Sequence, residues 1–140
     1  MIILDTNVVS ELMRPQPSAL VLTWVGSLPV RELCTTSISE AEILYGIKIL
    51  PRGKRRESLL SEAEGVFSED LGGRVLGFDR DAARAFSEIV VHRRTLGRPI
   101  NFADAQIASI ARVSGATLAT RDTDDFKDCG IEVVNPWAAA

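Results

Sequence analysis

Met1-Ile2-Ile3-Leu4-Asp5-Thr6-Asn7 is the segment that sets the architecture of this chain. A short, wholly apolar run ends abruptly in a carboxylate. Such a run, β-branched and bounded by polar residues, reads as a buried strand. In open parallel sheets, ligands bind just beyond the carboxyl ends of the strands. Asp5 therefore falls where an α/β protein does its chemistry. The pattern recurs where Ala116-Thr117-Leu118-Ala119-Thr120 runs into Arg121-Asp122. Two strands that each deliver an aspartate to one sheet edge imply an acidic pocket, and an acidic pocket commonly holds a metal ion.

Between these strands, helical and strand-like segments alternate, which predicts an α/β fold with a mostly parallel sheet. A short helix is expected over Asn7 to Met13, stopped by Arg14-Pro15-Gln16-Pro17. Ser18 is placed to cap a second helix through Trp24. Leu33 to Thr36 reads as a strand, Ser39 to Leu50 as a helix, and Glu57 to Glu69 as another, broken by Gly72-Gly73. Arg74 to Phe78 reads as the third strand. Asp79 or Asp81 caps a long helix that ends at Gly97-Arg98-Pro99. Phe102 to Val113 is a helix rich in small residues, with Gly115 as its stop. Ala116 to Ala119 is the fourth strand, a short helix follows Asp122, and Ile131 to Val134 is the last strand.

At 140 residues, 46% of them hydrophobic and 25% charged, the chain has the size and composition of one globular domain, residues 1–140. No apolar run is long enough to cross a bilayer and no basic leader precedes Ile2, so a cytoplasmic location is expected. Cys34 and Cys129 are far apart and outside any CxxC pair, which predicts two reduced thiols. His92 is the only histidine, which argues against a His-rich zinc site or a Ser-His-Asp triad. With Arg93 and Arg94 beside it on a helix, His92 reads as a surface residue. The net charge of −3 argues against nonspecific nucleic-acid binding by the whole surface, while leaving room for a basic rim around an acidic centre.

Asp5, Glu42, Asp104 and Asp122 each fall near a strand end or helix start, places that converge on one sheet edge in a doubly wound fold. Mg²⁺ and Mn²⁺ take hard oxygen ligands, which carboxylates, waters and a substrate phosphate provide. Without a cation such a cluster suffers like-charge repulsion. Structural roles compete for the same residues. Ser39-Glu40-Ala41-Glu42 and Ser37-Ile38-Ser39-Glu40 both match a capping box. Asn101-Phe102-Ala103-Asp104 resembles a cap, and Asp122 is placed to cap the Thr123-Asp124-Asp125-Phe126 turn. Taken together, the carboxylates favour the metal site. Thr6, Asn7 and Thr120 are candidates to orient carboxylates or hold waters, or else serve as caps and turns. Gly46, one turn after Glu42, either admits a substrate backbone or serves helix packing. Lys48, Arg52, Lys54, Arg55 and Arg56 form the densest basic run, either a phosphate-contacting patch or a solvated loop and helix start. Arg121 is placed to reach a phosphate or to pair with the carboxylates.

Ile3-Leu4-Asp5-Thr6-Asn7, the Ala41-Glu42 helix, Phe102-Ala103-Asp104-Ala105-Gln106-Ile107-Ala108, Ala119-Thr120-Arg121-Asp122-Thr123 and the closing Val134-Asn135-Pro136-Trp137 resemble the PIN-domain family. The nearest kind is the VapC-type toxin of bacterial toxin–antitoxin pairs, including the FitB-like subgroup. The resemblance spans essentially the whole chain. It implies a three-layer α/β/α fold around a central parallel sheet and a Mg²⁺- or Mn²⁺-dependent ribonuclease. The family's acidic residues fall on Asp5, Glu42, Asp104 and Asp122, with Asp125 a nearby substitute for Asp122. The resemblance also implies a homodimer, a small antitoxin that blocks the acidic site, and DNA binding supplied by the antitoxin.

Two other classes compete. Asp5-Thr6-Asn7-Val8 loosely resembles the aspartate motif of haloacid-dehalogenase-type phosphatases, with Asp5 as nucleophile, but Asn7 stands where a second aspartate is expected. A non-catalytic acidic regulatory module is the other; receivers pair their pocket with a lysine after a late strand, and Lys127 falls in a turn.

Overall fold

The computed structural model describes residues 1–138. Among them, five short strands form one parallel sheet: β1 (Ile2–Leu4), β2 (Leu33–Thr36), β3 (Val75–Leu76), β4 (Thr117–Ala119) and β5 (Val133–Val134), in spatial order β3-β2-β1-β4-β5. The chain runs outward from β1 to β3 on one side, then returns to build β4 and β5 on the other. The order therefore reverses between β1 and β4, the place where doubly wound sheets bind ligands. Ile3 is registered with Cys34 on one side and Leu118 on the other, and Leu4 with Ala119, so Asp5 and Thr120 leave the sheet side by side.

Successive strand residues face opposite ways, and each face carries its own core. Ile3, Cys34 and Leu118 pack with Ala82, Ile89, Ile107, Ala108, Ile110 and Ala111. These come from α5 (Arg80–Thr95) and α6 (Phe102–Ser114). Leu4, Leu33 and Ala119 pack on the other side with Val8, Val9, Val21, Ile43, Ile47 and Ala63. Those come from α1 (Thr6–Leu12), α2 (Ala19–Gly26), α3 (Ser37–Lys48) and α4 (Lys54–Glu64). The result is the expected three-layer α/β/α arrangement. Each buried Ile or Leu contributes about 1.5–3 kcal/mol. The small residues of α6 serve close packing: Ala105, Ala108 and Ala111 are fully buried as α6 lies along α5.

The structure corrects several local expectations. Asp5 caps α1 by accepting from the Thr6 amide, so that helix begins at Thr6 rather than Asn7. Neither capping box forms at α3. Thr36, the last residue of β2, accepts from the Ser39 amide and starts the helix at Ser37. The helix after Gly53 begins at Lys54 and widens into a π-helical turn over Gly65–Asp70, where α-helix to Glu69 was expected. β3 keeps only the middle of the predicted Arg74 to Phe78. Asp79, not Asp81, caps α5. Cys34 and Cys129 are both free and buried, and His92 is exposed. Its neighbour Arg93 is buried instead. It donates to the carbonyls of Arg98 (2.7 Å), Asp125 (2.8 Å) and Lys127 (3.1 Å), tying the segment after β4 to α5.

Candidate active site

A cavity of about 420 Å³ opens at the carboxyl edge of the sheet, lined by Asp5, Thr6, Asn7, Ser10, Glu11, Arg14, Glu42, Asp104, Arg121 and Trp137. Asp5 is its floor. It is 5% exposed, and both carboxylate oxygens are used: Oδ1 accepts from the Thr6 amide at 2.8 Å and Oδ2 from the Thr120 hydroxyl at 2.7 Å. These two bonds favour the ionised form, yet burial outweighs them. Desolvation, with smaller repulsion from Asp104 and Glu42, pushes Asp5 up from 3.8 to about 6.

Glu42 reaches the cavity from α3. Its Oε1 accepts from Thr6 Oγ1 at 2.8 Å, and Thr6 Oγ1 also lies 2.9 Å from the buried Ser39 Oγ. A hydroxyl has one proton to give. The charged acceptor takes it, which leaves Ser39 as the donor to Thr6. Glu42 is therefore free of the backbone capping role that the sequence also allowed.

Asp104 stands in the first turn of α6. Asn101 caps that helix by accepting from the Asp104 amide at 2.8 Å, and donates its Nδ2 to Asp104 Oδ2 at the same distance. The cap reading and the site reading thus hold for different groups of the same segment. Burial first, then the charges of Asp125, Glu42 and Asp122, hold the Asp104 carboxyl above its ordinary value.

Asp122 does not line the cavity and makes no capping bond of its own. Its Oδ2 accepts from Asn7 Nδ2 at 3.1 Å. Asn7 also donates to Thr120 Oγ1 at 3.3 Å and accepts from the Arg121 amide. Asn7 thereby links α1 to the segment after β4. Asp125 is close enough to Asp104 to raise it but does not line the cavity either.

Of the basic candidates, Arg121 lines the cavity. Lys48, Arg52, Lys54, Arg55 and Arg56 lie at the end of α3, in the following loop and on the first turn of α4, outside it. Gly46 lines an adjoining groove of about 350 Å³ with Thr6, Glu42 and Ile43. A Cβ there would meet nothing within 4 Å, so tight helix packing does not explain this glycine. Sequence reading missed Ser39, Glu11, Arg14 and Trp137. Glu11 is buried, accepting from the Ser18 amide and from Arg14. The Asn135-Pro136-Trp137 turn sequence was the signal available for Trp137, whose amide donates to Asn135 Oδ1.

The donor set of Asp5, Glu42 and Asp104 is all carboxylate oxygen, the chemistry that Mg²⁺-class cations take. Burial first, and carboxylate repulsion second, push Asp5 and Asp104 up; a divalent cation relieves both effects, so the residues fit one. Among the described residues no three acidic, thiol or imidazole groups already converge closely enough to hold an ion. Glu42 is held by Thr6 and Asp104 by Asn101.

Residues 2–131 match the PIN domain family. The chain is 40% identical to the VapC ribonuclease Y4jK of Sinorhizobium fredii, over the full length of both. It is 38% identical to Toxin FitB of Neisseria gonorrhoeae, covering 98% of this chain and 99% of that one. Among solved structures, FitAB bound to a DNA fragment superposes with a TM-score of 0.92 at 37% identity, covering 100% of this chain and 98% of the other.

Proposed function

The chain belongs to the PIN-domain family, and on that premise we propose that it is the ribonuclease toxin of a type II toxin–antitoxin pair. It hydrolyses RNA phosphodiester bonds with the help of Mg²⁺ or Mn²⁺, as one PIN domain spanning residues 1–140. The observation that carries the reading is the convergence of Asp5, Glu42 and Asp104 on one cavity at the switch point of the sheet. The family membership removes the haloacid-dehalogenase reading. The pocket also counts against the regulatory one, since no lysine lines it.

Asp5 and Asp104 are the core metal ligands, Glu42 binds metal or positions the attacking water, and Asp122 or Asp125 completes the set. A bound divalent cation supplies Lewis acidity and neutralises charge that builds on the phosphate. The chain's own residues do the rest. Thr120 and the Thr6 amide fix both oxygens of Asp5, so its orientation is set before substrate arrives. The Ser39–Thr6 hydroxyl pair holds Glu42 at the wall. Asn7 keeps Asp122 beside Thr120. In the reaction a water oxygen forms a bond to phosphorus and gives up a proton, while a P–O bond of the RNA backbone breaks and the departing oxygen takes up a proton to leave as a hydroxyl. Preorganised groups assist because they need no rearrangement as charge develops.

A small antitoxin that blocks the acidic site, DNA contact through that antitoxin alone, and a homodimer complete the assignment. The FitAB structure, solved bound to a DNA fragment, supports the DNA contact. Lys48, Arg52, Lys54, Arg55 and Arg56 are assigned to RNA phosphates. No helix of the described residues is long and apolar enough to cross a membrane, and we assign the chain to the cytoplasm.

Induced expression of the chain alone in bacterial cells tests the reading. Growth arrest with RNA loss is expected, and Asp5→Asn abolishes it. Arrest that persists in Asp5→Asn contradicts the assignment.

A further inference from the structure

Arg121 is a basic side chain on the wall of an acidic cavity, yet it does not pair with the acids. Its guanidinium carbon lies 5.0 Å from the centre of the Trp137 ring. None of the ion pairs among the described residues includes it. Asp5 and Asp104 take their hydrogen bonds from Thr120, Thr6 and Asn101 instead. A guanidinium over an indole face is attracted to the ring while its N–H donors stay available to an anion. The main chain of each partner is held by an asparagine side chain. The Arg121 amide donates to Asn7 Oδ1 at 3.3 Å, and the Trp137 amide donates to Asn135 Oδ1 at 2.9 Å. Trp137 is half-buried against the core that also holds Leu4 and Val134. A planar guanidinium outside every ion pair among the described residues matches the bidentate geometry of a phosphate. Arg14, also on the wall, is already tied to Glu11 at 3.3 Å.

We propose that Arg121 is the phosphate grip of the cavity, engaging an RNA phosphate next to the one that is cut, and that Trp137 is a positioning residue that acts through Arg121. This rests on the ribonuclease reading. Trp137 thereby becomes part of substrate binding without touching the reacting atoms.

The test is binding of a labelled mixed-sequence single-stranded RNA in EDTA, measured against salt, for the wild type, Arg121→Ala, Trp137→Leu, the double variant and Trp137→Phe. Cleavage of the same RNA is followed with Mn²⁺. Arg121→Ala is expected to weaken binding about tenfold and to flatten the salt slope by about 0.7, the share of one phosphate on a single strand. Trp137→Leu is expected to reproduce both changes, with no further loss in the double variant. Trp137→Phe, which keeps a ring face, recovers most of the affinity and serves as the control for folding. In cleavage the loss falls on KM more than on kcat. Trp137→Leu with an unchanged salt slope overturns the bracing role, and Arg121→Ala that binds as the wild type overturns the grip. In both cases intact cleavage leaves the ribonuclease reading standing. A wild type that neither binds nor cuts RNA removes that reading, and the proposal with it.

Discussion

Thr120 Oγ1 stands 2.7 Å from Asp5 Oδ2, joining two residues 115 positions apart in sequence. The bond exists because β1 and β4 are parallel neighbours in register, Leu4 beside Ala119. Thr120 is fully buried and uses all its capacity: it donates to Asp5 and accepts from Asn7 and from the Asp122 amide. Thr120→Val leaves the buried Asp5 Oδ2 without its hydroxyl donor and removes the acceptor of Asn7 and of the Asp122 amide. A stability loss of about 1–3 kcal/mol is expected in denaturant titration, with a further rise of the Asp5 pKa and weaker metal binding.

The Asp5 carboxyl makes metal-free stability depend on pH. Its ordinary value is 3.8 and its folded value about 6. A raised acid favours the protonated folded state, so this contribution is fully present below pH 3.8, is lost as pH rises, and is gone above about 6. The difference corresponds to about 3 kcal/mol. Thermal melting in EDTA is expected to show stability falling between these pH values, and Asp5→Asn to flatten that fall. An equal slope in the variant contradicts the assignment to Asp5.

Arg93 holds the segment after β4 from beneath, through the carbonyls of Asp125 and Lys127. Arg93→Met leaves those carbonyls without their charged donor. A loss of about 3 kcal/mol or more is expected, together with a fall in cleavage of about tenfold or more as Asp122 and Asp125 drift from Asp104. Denaturant titration and rate measurement on the folded fraction check the two effects separately.

Much of this was legible in the sequence for a simple reason. An apolar run that stops on a carboxylate carries both the strand and its functional end, so Asp5 and the β4 edge could be read directly. Glu42 and Asp104 were harder, because a helix start needs polar residues for its own amides. The structure separates the roles by giving the caps to Thr36 and Asn101, one residue before each helix. Thr36 was hidden inside a strand pattern, since threonine suits both. The π-helical turn at Gly65–Asp70 left no mark on the apolar spacing. The Arg121–Trp137 pair joins side chains whose meeting is set by packing rather than by spacing, and Arg93 was masked by its basic neighbours on an exposed stretch.

The basic run at Lys54, Arg55 and Arg56, assigned to RNA phosphates, lies outside the cavity, so that assignment predicts an effect on affinity rather than on chemistry. Replacing the three by Ala is expected to raise KM and flatten the salt dependence of RNA binding by about 0.7 for each phosphate no longer neutralised. The rate at saturating RNA stays near wild type. Steady-state kinetics at two salt concentrations decide this.

The carboxylates around Asp5 are assigned to cutting RNA with a divalent cation, and the roles given to Arg93 and Arg121 in cleavage and RNA binding depend on that chemistry. The decisive experiment is cleavage of a labelled RNA by the purified chain with Mg²⁺ or Mn²⁺, then with EDTA, beside a folded Asp5→Asn variant. Cutting that needs the metal and is lost in the variant is the expected result. Full cutting by Asp5→Asn, or cutting that persists in EDTA, contradicts the assignment.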